Sequence, residues 1–215
     1  MKTVAIMPIK LENARLPGKN LKLLGGKSLL VYALLELLQV PEIDELYVYC
    51  SNEIVREYLP ERVEFLLRPA YLDSSETNFT QIFEEFSSQV SGDCYVYMHA
   101  TAPFVRASTI KECITAVHSG KYDSAFTAVR IQDYLWRDGV PLNFDASNIP
   151  RSQDLEPIFR ETSGVYVFTA QVFAKLKRRV GVMPYIKEVP FRESIDINTI
   201  EDFRLAELLL NAQKL

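Results

Sequence analysis

A loop rich in cations directly follows the first apolar run of the sequence. Its thirteen residues contain no aromatic side chain and four cations, Lys10, Arg15, Lys19 and Lys22. Pro17 and Gly18 predict a tight turn, and Gly18 lets backbone N–H groups approach an anion with no Cβ in the way. The combination predicts a binding site for a triphosphate. A solvated basic loop that holds no ligand is the alternative that the composition leaves open.

Two better-known phosphate-binding motifs are absent. The turn after the first apolar run lacks the G-x-G-x-x-G pattern of dinucleotide-binding proteins. Gly26-Lys27-Ser28 resembles the end of a P-loop, but Leu21 stands where the first glycine of that motif belongs. We therefore interpret this tripeptide as a turn that leads into a helix, with Ser28 as the helix N-cap.

Strands and helices that alternate along the chain would position this loop. Strands are predicted at 3–7, 45–50, 63–67, 94–98, 124–129, 165–169 and 185–189. Helices are predicted at 29–38, 51–59 with Ser51 as cap, 82–90, 110–117 and 170–179, and after the capping box Thr199–Asp202. The alternation through residue 130 predicts an α/β fold with a mostly parallel sheet and helices on both faces. Ligands of such sheets bind beyond the carboxyl ends of the strands, where the basic loop lies.

The segment 131–162 departs from this alternation. It is rich in Asp, Pro, Asn, Arg and Gln with scattered aromatic residues, which indicates an arm or insertion and not another crossover. Neither a repeat nor a linker divides the sequence. We therefore expect a single domain over 1–215 that carries this arm.

The composition restricts the partners and the compartment. A net charge of −4 gives no bulk attraction to nucleic acid or to an anionic membrane, so neither is expected as a partner. Three widely spaced cysteines, Cys50, Cys94 and Cys113, indicate buried thiols in a reducing compartment. Neither a signal peptide nor a membrane span is recognisable. The expected location is the cytoplasm.

Several ordered motifs resemble the acylneuraminate cytidylyltransferases, the CMP-sialic acid synthetases and their relatives. Pro17-Gly-Lys-Asn20 and the following Leu24-Gly-Gly-Lys-Ser-Leu-Leu30 resemble the N-terminal signature of that family. The later matches, in chain order, are Arg68-Pro69, Met98-His-Ala-Thr-Ala-Pro103 (LQPTSP in the family), Glu161-Thr-Ser-Gly-Val-Tyr166 (NGAIY) and Ser194-Ile-Asp-Ile-Asn198 (SIDID). Each motif is weak alone, so the specificity lies in their common order over most of the chain.

The resemblance implies a Rossmann-like, GT-A-like nucleotidyltransferase fold and a defined reaction. In this family the anomeric hydroxyl of a sugar acid attacks the α-phosphate of CTP, which forms a CMP-sugar and releases pyrophosphate. The resemblance implies catalytic roles for Lys10, which replaces the family's loop arginine, and for Lys19. It also implies a nucleotide-binding set, namely Arg15, Gly18, Asn20, Arg68, His99 and Thr101.

A divalent cation, Mg²⁺ or Mn²⁺, is expected with the triphosphate, because it bridges phosphate oxygens and is held by one or two carboxylates. Asp196 and Asn198 are the candidate ligands, since alternation along an extended segment puts both on one face. Asn198 replaces a carboxylate of the motif and adds no charge. The alternative for Asp196 is a role as cap of the last helix.

The resemblance further implies a homodimer in which the arm approaches the sugar site of the partner. Arg151, Gln153 and Arg160 match that segment, and a guanidinium suits the carboxylate of a 2-keto sugar acid. A solvated charged arm is the competing interpretation. Thr162 and Ser163 replace the first two residues of NGA and are also expected at the sugar.

Departures from the family keep other functions open. Leu11 and Glu12 stand where the family has a glycine pair, and His99 replaces its glutamine. His99 either lines the nucleotide site, transfers a proton or is a silent structural histidine. One alternative function is the same reaction with 3-deoxy-octulosonate, a phosphonate or another nucleotide. The other is a nucleotide-sugar-binding homologue with impaired catalysis.

Overall fold

A computed structural model describes residues 1–212, and a seven-stranded sheet forms its centre. The strands, numbered along the chain, are β1 (Thr3–Ile9), β2 (Glu45–Cys50), β3 (Glu64–Leu67), β4 (Cys94–Met98), β5 (Ser124–Ile131), β6 (Ile158–Thr169) and β7 (Pro184–Glu188). Their order across the sheet is β7-β5-β6-β4-β1-β2-β3. All neighbouring pairs are parallel except those of β6, which runs antiparallel to β4 and to β5. The predicted α/β fold with a mostly parallel sheet is confirmed.

Five α-helices accompany the sheet in the described part of the chain: α1 (Leu29–Leu37), α2 (Phe79–Gln89), α3 (Ala107–His118), α4 (Ala170–Leu176) and α5 (Ile200–Asn211). Helices α1 and α3 pack on one face of the sheet, against a core of aliphatic residues and thiols. Helices α2 and α4 pack on the other face, where the core is largely aromatic. Because successive side chains of a strand point to opposite faces, β4 supplies both cores.

The structure corrects three local predictions. The segment expected as a helix with Ser51 as its cap is a 3-10 helix, Glu53–Tyr58. Its N-cap is Asn52, because Oδ1 of Asn52 accepts a hydrogen bond from Ile54 N at 3.0 Å. The helix expected at 170–179 ends at Leu176, since Lys177 adopts a left-handed conformation with φ 54°. Ser28 precedes α1 as predicted, but its hydroxyl makes no capping hydrogen bond.

The arm is shorter than the segment 131–162. Strand β6 begins at Ile158, which pairs with Ile131 at the end of β5, so residues 158–162 belong to the central sheet. Residues 132–157 leave the sheet. They contain a short antiparallel pair, Trp136–Arg137 with Val140–Pro141, and the 3-10 helix Ser152–Asp154.

The remaining short elements lie in the connections between the strands and helices. Leu23–Leu24 and Lys27–Ser28 form a two-residue antiparallel pair, and 3-10 helices span Lys19–Leu21, Ala70–Asp73 and Phe191–Ser194. The three cysteines are buried free thiols. None of the helices in residues 1–212 has the length and apolarity that crossing a membrane requires.

Candidate functional site

The basic loop after β1 contacts the Ser194–Asn198 segment that precedes α5. The Lys19 ammonium donates to the carbonyl oxygen of Ile197 at 2.8 Å and to Oδ1 of Asn198 at 3.2 Å. The Arg15 guanidinium donates to the same Oδ1 at 2.7 Å. Two regions of the sequence with predicted phosphate and metal chemistry therefore lie side by side.

Lys19 is a buried ammonium group in this contact, with only 9% of the residue exposed. Burial lowers the pKa of Lys19, and the neighbouring Arg15 lowers it further, whereas Asp196 opposes both effects. A buried ammonium is weakly solvated, so its attraction to a nearby phosphate is less screened than that of a surface lysine.

The rest of the loop is shaped by backbone contacts. Asn20 is buried, and its Nδ2 donates to the carbonyl oxygen of Lys10 at 2.8 Å, which closes the loop on itself. Gly18 has φ 64°, a left-handed conformation that favours glycine, and it precedes the 3-10 helix Lys19–Leu21. The side chain of Lys10 is half-buried and makes no hydrogen bond or ion pair with residues 1–212. It is a cation at the end of β1 that is available to a ligand.

Asp196 does not cap helix α5. The capping box of that helix consists of Thr199 and Asp202, and Asp202 Oδ2 also accepts from the backbone N–H of Asn198 at 2.9 Å. Asp196 instead accepts at Oδ2 from Nδ2 of Asn198 at 2.7 Å. The predicted capping box is confirmed, and the carboxylate of Asp196 is left for another role.

The two candidate metal ligands differ in what they offer. The carboxylate of Asp196 has one hydrogen-bond donor within the described chain, so it retains oxygen lone pairs for a cation. Oδ1 of Asn198 already accepts from Arg15 and Lys19. Residues 1–212 contain no cluster of three or more acidic, histidine or cysteine side chains that could hold a metal alone. The donor set fits a Mg²⁺ ion held by a single carboxylate and mainly by phosphate oxygens.

His99 and Thr101 follow β4 and border the same segment. The carbonyl oxygen of Thr101 accepts from Ile197 N at 2.8 Å, and His99 N donates to the carbonyl oxygen of Gly164 at 3.1 Å. Nε2 of His99 is buried and has no partner in the described chain. Burial, followed by the positive charge of Arg179, lowers the pKa of His99 to about 4, so the ring is neutral at neutral pH.

The residues expected at the sugar are only partly available to a ligand. Thr162 is buried, and its hydroxyl forms a 2.6 Å hydrogen bond with that of Thr127, so it holds β6 to β5 and does not face a ligand. Ser163 is half-buried and has φ 57°, at the irregularity in the pairing of β6 with β5. Of the two, only Ser163 remains available.

The arginines predicted to bind ligands also differ in whether they are buried or exposed. Arg68 is buried and forms an ion pair with Asp73, which also accepts a hydrogen bond from the hydroxyl of Ser51 at 2.5 Å. Arg151 is exposed and paired with Asp154 at 2.7 Å. Arg160 and Gln153 are also exposed. Within residues 1–212, the hydrogen bonds and ion pairs of Arg151 and Gln153 are made to Asp154 and Gln132 and none reaches the loop 10–22.

Sequence reasoning missed Arg179, which lies on the sheet face beside His99. Its guanidinium carbon lies 3.7 Å from the centre of the Tyr166 ring. Two consecutive arginines, Arg178 and Arg179, were visible in the sequence. Their directions depend on the early end of α4 at Leu176, which the helical pattern did not indicate.

Comparison with known protein families gives a match over nearly the whole chain. The family described as "Cytidylyltransferase" matches residues 4–213. The chain belongs to the cytidylyltransferase family. The resemblance seen in the motifs is thereby confirmed at the level of the family.

The relatives of this cytidylyltransferase share little sequence identity with it. The N-acylneuraminate cytidylyltransferase of Streptococcus agalactiae serotype V is 21% identical over 214 residues, which cover 94% of this chain and 52% of the relative. The chain thus spans about half the length of that protein. The CMP-N,N'-diacetyllegionaminic acid synthase of Legionella pneumophila is 26% identical, with coverage of 98% and 97%.

Solved structures support the fold. A CMP:2-keto-3-deoxy-manno-octonic acid synthetase complexed with CTP superimposes with a TM-score of 0.72 and 17% identity, over 100% of both chains. A 4-diphosphocytidyl-2C-methyl-D-erythritol synthase from Anaerococcus prevotii gives a TM-score of 0.69 and 15% identity, over 98% of this chain and 96% of that one. The nucleotidyltransferase architecture is therefore shared across these proteins.

Proposed function

We propose that the protein transfers CMP from CTP to the anomeric hydroxyl of a 2-keto sugar acid and releases pyrophosphate. The observation that carries this proposal is the convergence of Arg15 and Lys19 on the segment of Asp196 and Asn198. Membership in the cytidylyltransferase family supports the choice of nucleotide. The names of the relatives, which include sialic, legionaminic and 3-deoxy-octulosonic acid enzymes, support the class of acceptor.

In this reaction the acceptor oxygen forms a bond to the α-phosphorus while the bond from that phosphorus to the bridging oxygen of the β-phosphate breaks, and the hydroxyl proton is released to water. Negative charge grows on the leaving pyrophosphate and on the oxygens of the α-phosphate. Lys10, at the end of β1, neutralises the α-phosphate, and the buried Lys19 neutralises the β and γ phosphates. Cations fixed before the reaction stabilise such a transition state by position and charge.

Other residues of the site bind and orient the nucleotide. Arg15 extends the cationic surface, and Gly18 and Asn20 shape the loop around the phosphates. Asp196 would hold a Mg²⁺ ion, which would neutralise part of the charge of the phosphates. His99 and Thr101 line the cleft between nucleotide and acceptor.

Two residues that the motifs suggested act indirectly in this proposal. Arg68 is buried and paired with Asp73, so in this proposal it holds the segment after β3 in place. Asn198 holds Arg15 and Lys19 and does not bind the metal in this arrangement.

We also propose that the protein is a cytoplasmic homodimer, and the exposed residues of the arm support the dimer. Arg151, Gln153 and Arg160 are exposed on or beside the arm. In a dimer they would contact the acceptor bound to the partner. Exposed Trp136 and Val140 on the same arm supply apolar surface for such an interface.

The test is a pyrophosphate-release assay on a matrix of nucleotides and acceptors. CTP, UTP, ATP and GTP are each combined with N-acetylneuraminate, a legionaminic acid and 3-deoxy-octulosonate, with and without Mg²⁺. We expect release only with CTP, a sugar acid and Mg²⁺, and a strong loss in Asp196→Asn. Release from CTP with 3-deoxy-octulosonate, but with neither of the other two sugar acids, would identify 3-deoxy-octulosonate as the acceptor. No release from any combination, together with stabilisation by a nucleotide sugar, would select the binding homologue.

A further inference from the structure

Arg179 lies in the connection after α4 and is directed at the aromatic face of the sheet. The residue is half-buried, and its guanidinium stacks 3.7 Å from the centre of the Tyr166 ring. It lies 5.5 Å from the ring of Phe79 and 5.9 Å from that of Tyr97. An arginine held over a ring in this way keeps its planar N–H edge available for a ligand.

This guanidinium has no acidic partner in the described chain. Within residues 1–212 it makes neither an ion pair nor a hydrogen bond, although many other surface cations of the protein are paired. The Tyr166 hydroxyl donates to Glu161 at 2.7 Å, which fixes the ring on which Arg179 stacks. A fixed, partly desolvated cation without a counter-charge is suited to an anionic ligand.

The second feature of this place is His99. Its ring lies 5.3 Å from that of Tyr97 and 6.4 Å from that of Tyr166, on the same face as Arg179. Its Nε2 is buried and unpartnered within residues 1–212. A buried ring nitrogen without a hydrogen bond is costly unless a ligand or water satisfies it. The polar group and the cation thus lie near the same two aromatic rings, those of Tyr97 and Tyr166.

His99 also lies near the basic loop. The positive charges of Arg179 and of Lys19, and the negative charge of Asp196, all act on His99, so its ring is close both to Arg179 and to the Lys19 and Asp196 groups. A phosphate chain on Lys19 and Asp196 leaves Arg179 to a different part of the bound molecules.

We propose that Arg179 is the specificity residue of the acceptor site and binds the carboxylate of the sugar acid through its planar edge. Tyr166 supports the guanidinium from below, and Nε2 of His99 hydrogen-bonds a sugar hydroxyl next to the reacting one. This inference rests on the proposed function. It assigns recognition of the acid to the protomer's own chain, whereas Arg151 is engaged by Asp154.

A carboxylate fits this place better than a phosphate. One guanidinium matches the two oxygens of a carboxylate with two parallel hydrogen bonds. A dianionic phosphate would leave further oxygens against Phe79, Tyr97 and Tyr166, whose ring faces repel negative charge. Arg179 therefore discriminates a sugar acid from a sugar phosphate.

The experiment compares Arg179→Met and Arg179→Lys with the parent protein and with Lys175→Met. Lys175 is an exposed cation on α4 without a hydrogen bond or ion pair within residues 1–212, so its variant controls for the loss of one charge nearby. Calorimetric titration with N-acetylneuraminate, 3-deoxy-octulosonate and the sugar phosphate 2C-methyl-D-erythritol 4-phosphate measures binding without turnover. Pyrophosphate release gives KM and kcat for each substrate.

We expect Arg179→Met to weaken binding of the sugar acid at least tenfold and to raise its KM, with an unchanged KM for CTP. Arg179→Lys keeps the charge but loses the planar edge, so it should show a smaller loss of sugar-acid affinity. If Arg179→Met does not fold, the Arg179→Lys variant provides the test. Lys175→Met should resemble the parent.

Equal sugar-acid affinity in Arg179→Met and the parent overturns the inference. So does a parent that binds no sugar acid, or an equal loss for CTP or for the sugar phosphate. The proposed function is decided separately. If the parent releases pyrophosphate and Arg179→Met has an unchanged KM for the sugar acid, the proposed function stands and the inference fails. If Arg179→Met weakens binding of the sugar acid but the parent releases no pyrophosphate, the inference stands and the proposed function fails.

Discussion

The substitution Asn198→Asp tests how the site handles charge. In the structure Oδ1 of Asn198 accepts from Arg15 at 2.7 Å and from Lys19 at 3.2 Å, while its Nδ2 donates to Asp196 at 2.7 Å. An aspartate keeps the first two contacts and strengthens them. The hydrogen bond from Nδ2 to Asp196 is lost, and two carboxylates then face each other.

The size of the effect follows from Coulomb's law. Two charges about 4 Å apart near a protein surface interact by about 4 kcal/mol at an effective dielectric constant of about 20. Attraction to Arg15 and Lys19 offsets the repulsion from Asp196, so we expect little change in the free energy of unfolding without metal. A bound divalent cation, in contrast, is attracted by the second carboxylate as well as by Asp196. Even about a third of one such interaction, ~1.4 kcal/mol, raises Mg²⁺ affinity about tenfold.

Thermal denaturation at a fixed, saturating concentration of CTP measures this gain, because the proposed ion is held mainly by phosphate oxygens. Because Mg²⁺ stabilises the folded state by mass action, a tenfold rise in affinity adds ~1.4 kcal/mol at a saturating concentration, or a rise in Tm of about 3–6 °C for a domain of this size. Sodium chloride at matched ionic strength corrects for screening, and Asp196→Asn should lose the response to Mg²⁺. A Mg²⁺-dependent rise in Asn198→Asp no larger than in the parent would refute the proposed metal position.

Two further predictions concern Lys10 and His99. Lys10→Ala should lower kcat more than it weakens CTP binding, because a cation at the attacked phosphate acts mainly in the transition state, and Lys22→Ala is the matched loop control; steady-state kinetics that place the whole loss in the KM for CTP would contradict this role. The pKa of His99 is lowered from 6.5 to about 4, so burial of its neutral ring stabilises the protein above pH 6.5, and that contribution is lost as the pH falls toward 4. Urea unfolding across this range should show the parent losing about 2–3 kcal/mol relative to His99→Gln, whereas parallel pH profiles would mean that the ring is not buried in its neutral form.

Sequence reasoning located the basic loop because the end of the first strand is easy to recognise, and it located the Asp196 segment through the resemblance of Ser194–Asn198 to a family motif. The apolar run Thr3–Met7 marks β1, and the loop after it must lie at the carboxyl edge of the sheet. The contact between Arg15 and Asn198 joins residues 183 positions apart, and no pattern in the chain could indicate it. It depends on how α5 packs against the loop.

Other features escaped because local patterns do not report tertiary context. Strand β6 was expected to begin at Val165, since the polar composition of 131–162 was interpreted as an arm, yet pairing with β5 extends the strand back to Ile158. Arg179 had no local signal, because its direction depends on Lys177 ending α4 with a positive φ. Thr162 matched a substrate motif, but its hydroxyl is used within the sheet.

The buried ammonium of Lys19 ties the loop to the backbone of Ile197. Ordering a loop residue costs about 1–2 kcal/mol of conformational entropy, and here folding meets that cost before the nucleotide arrives. Association then spends little free energy on rearranging the polypeptide, so more of the interaction with the triphosphate remains as affinity and alignment. The recognition surface is in this sense a rigid receptor, formed together with the hydrophobic core and lost with it.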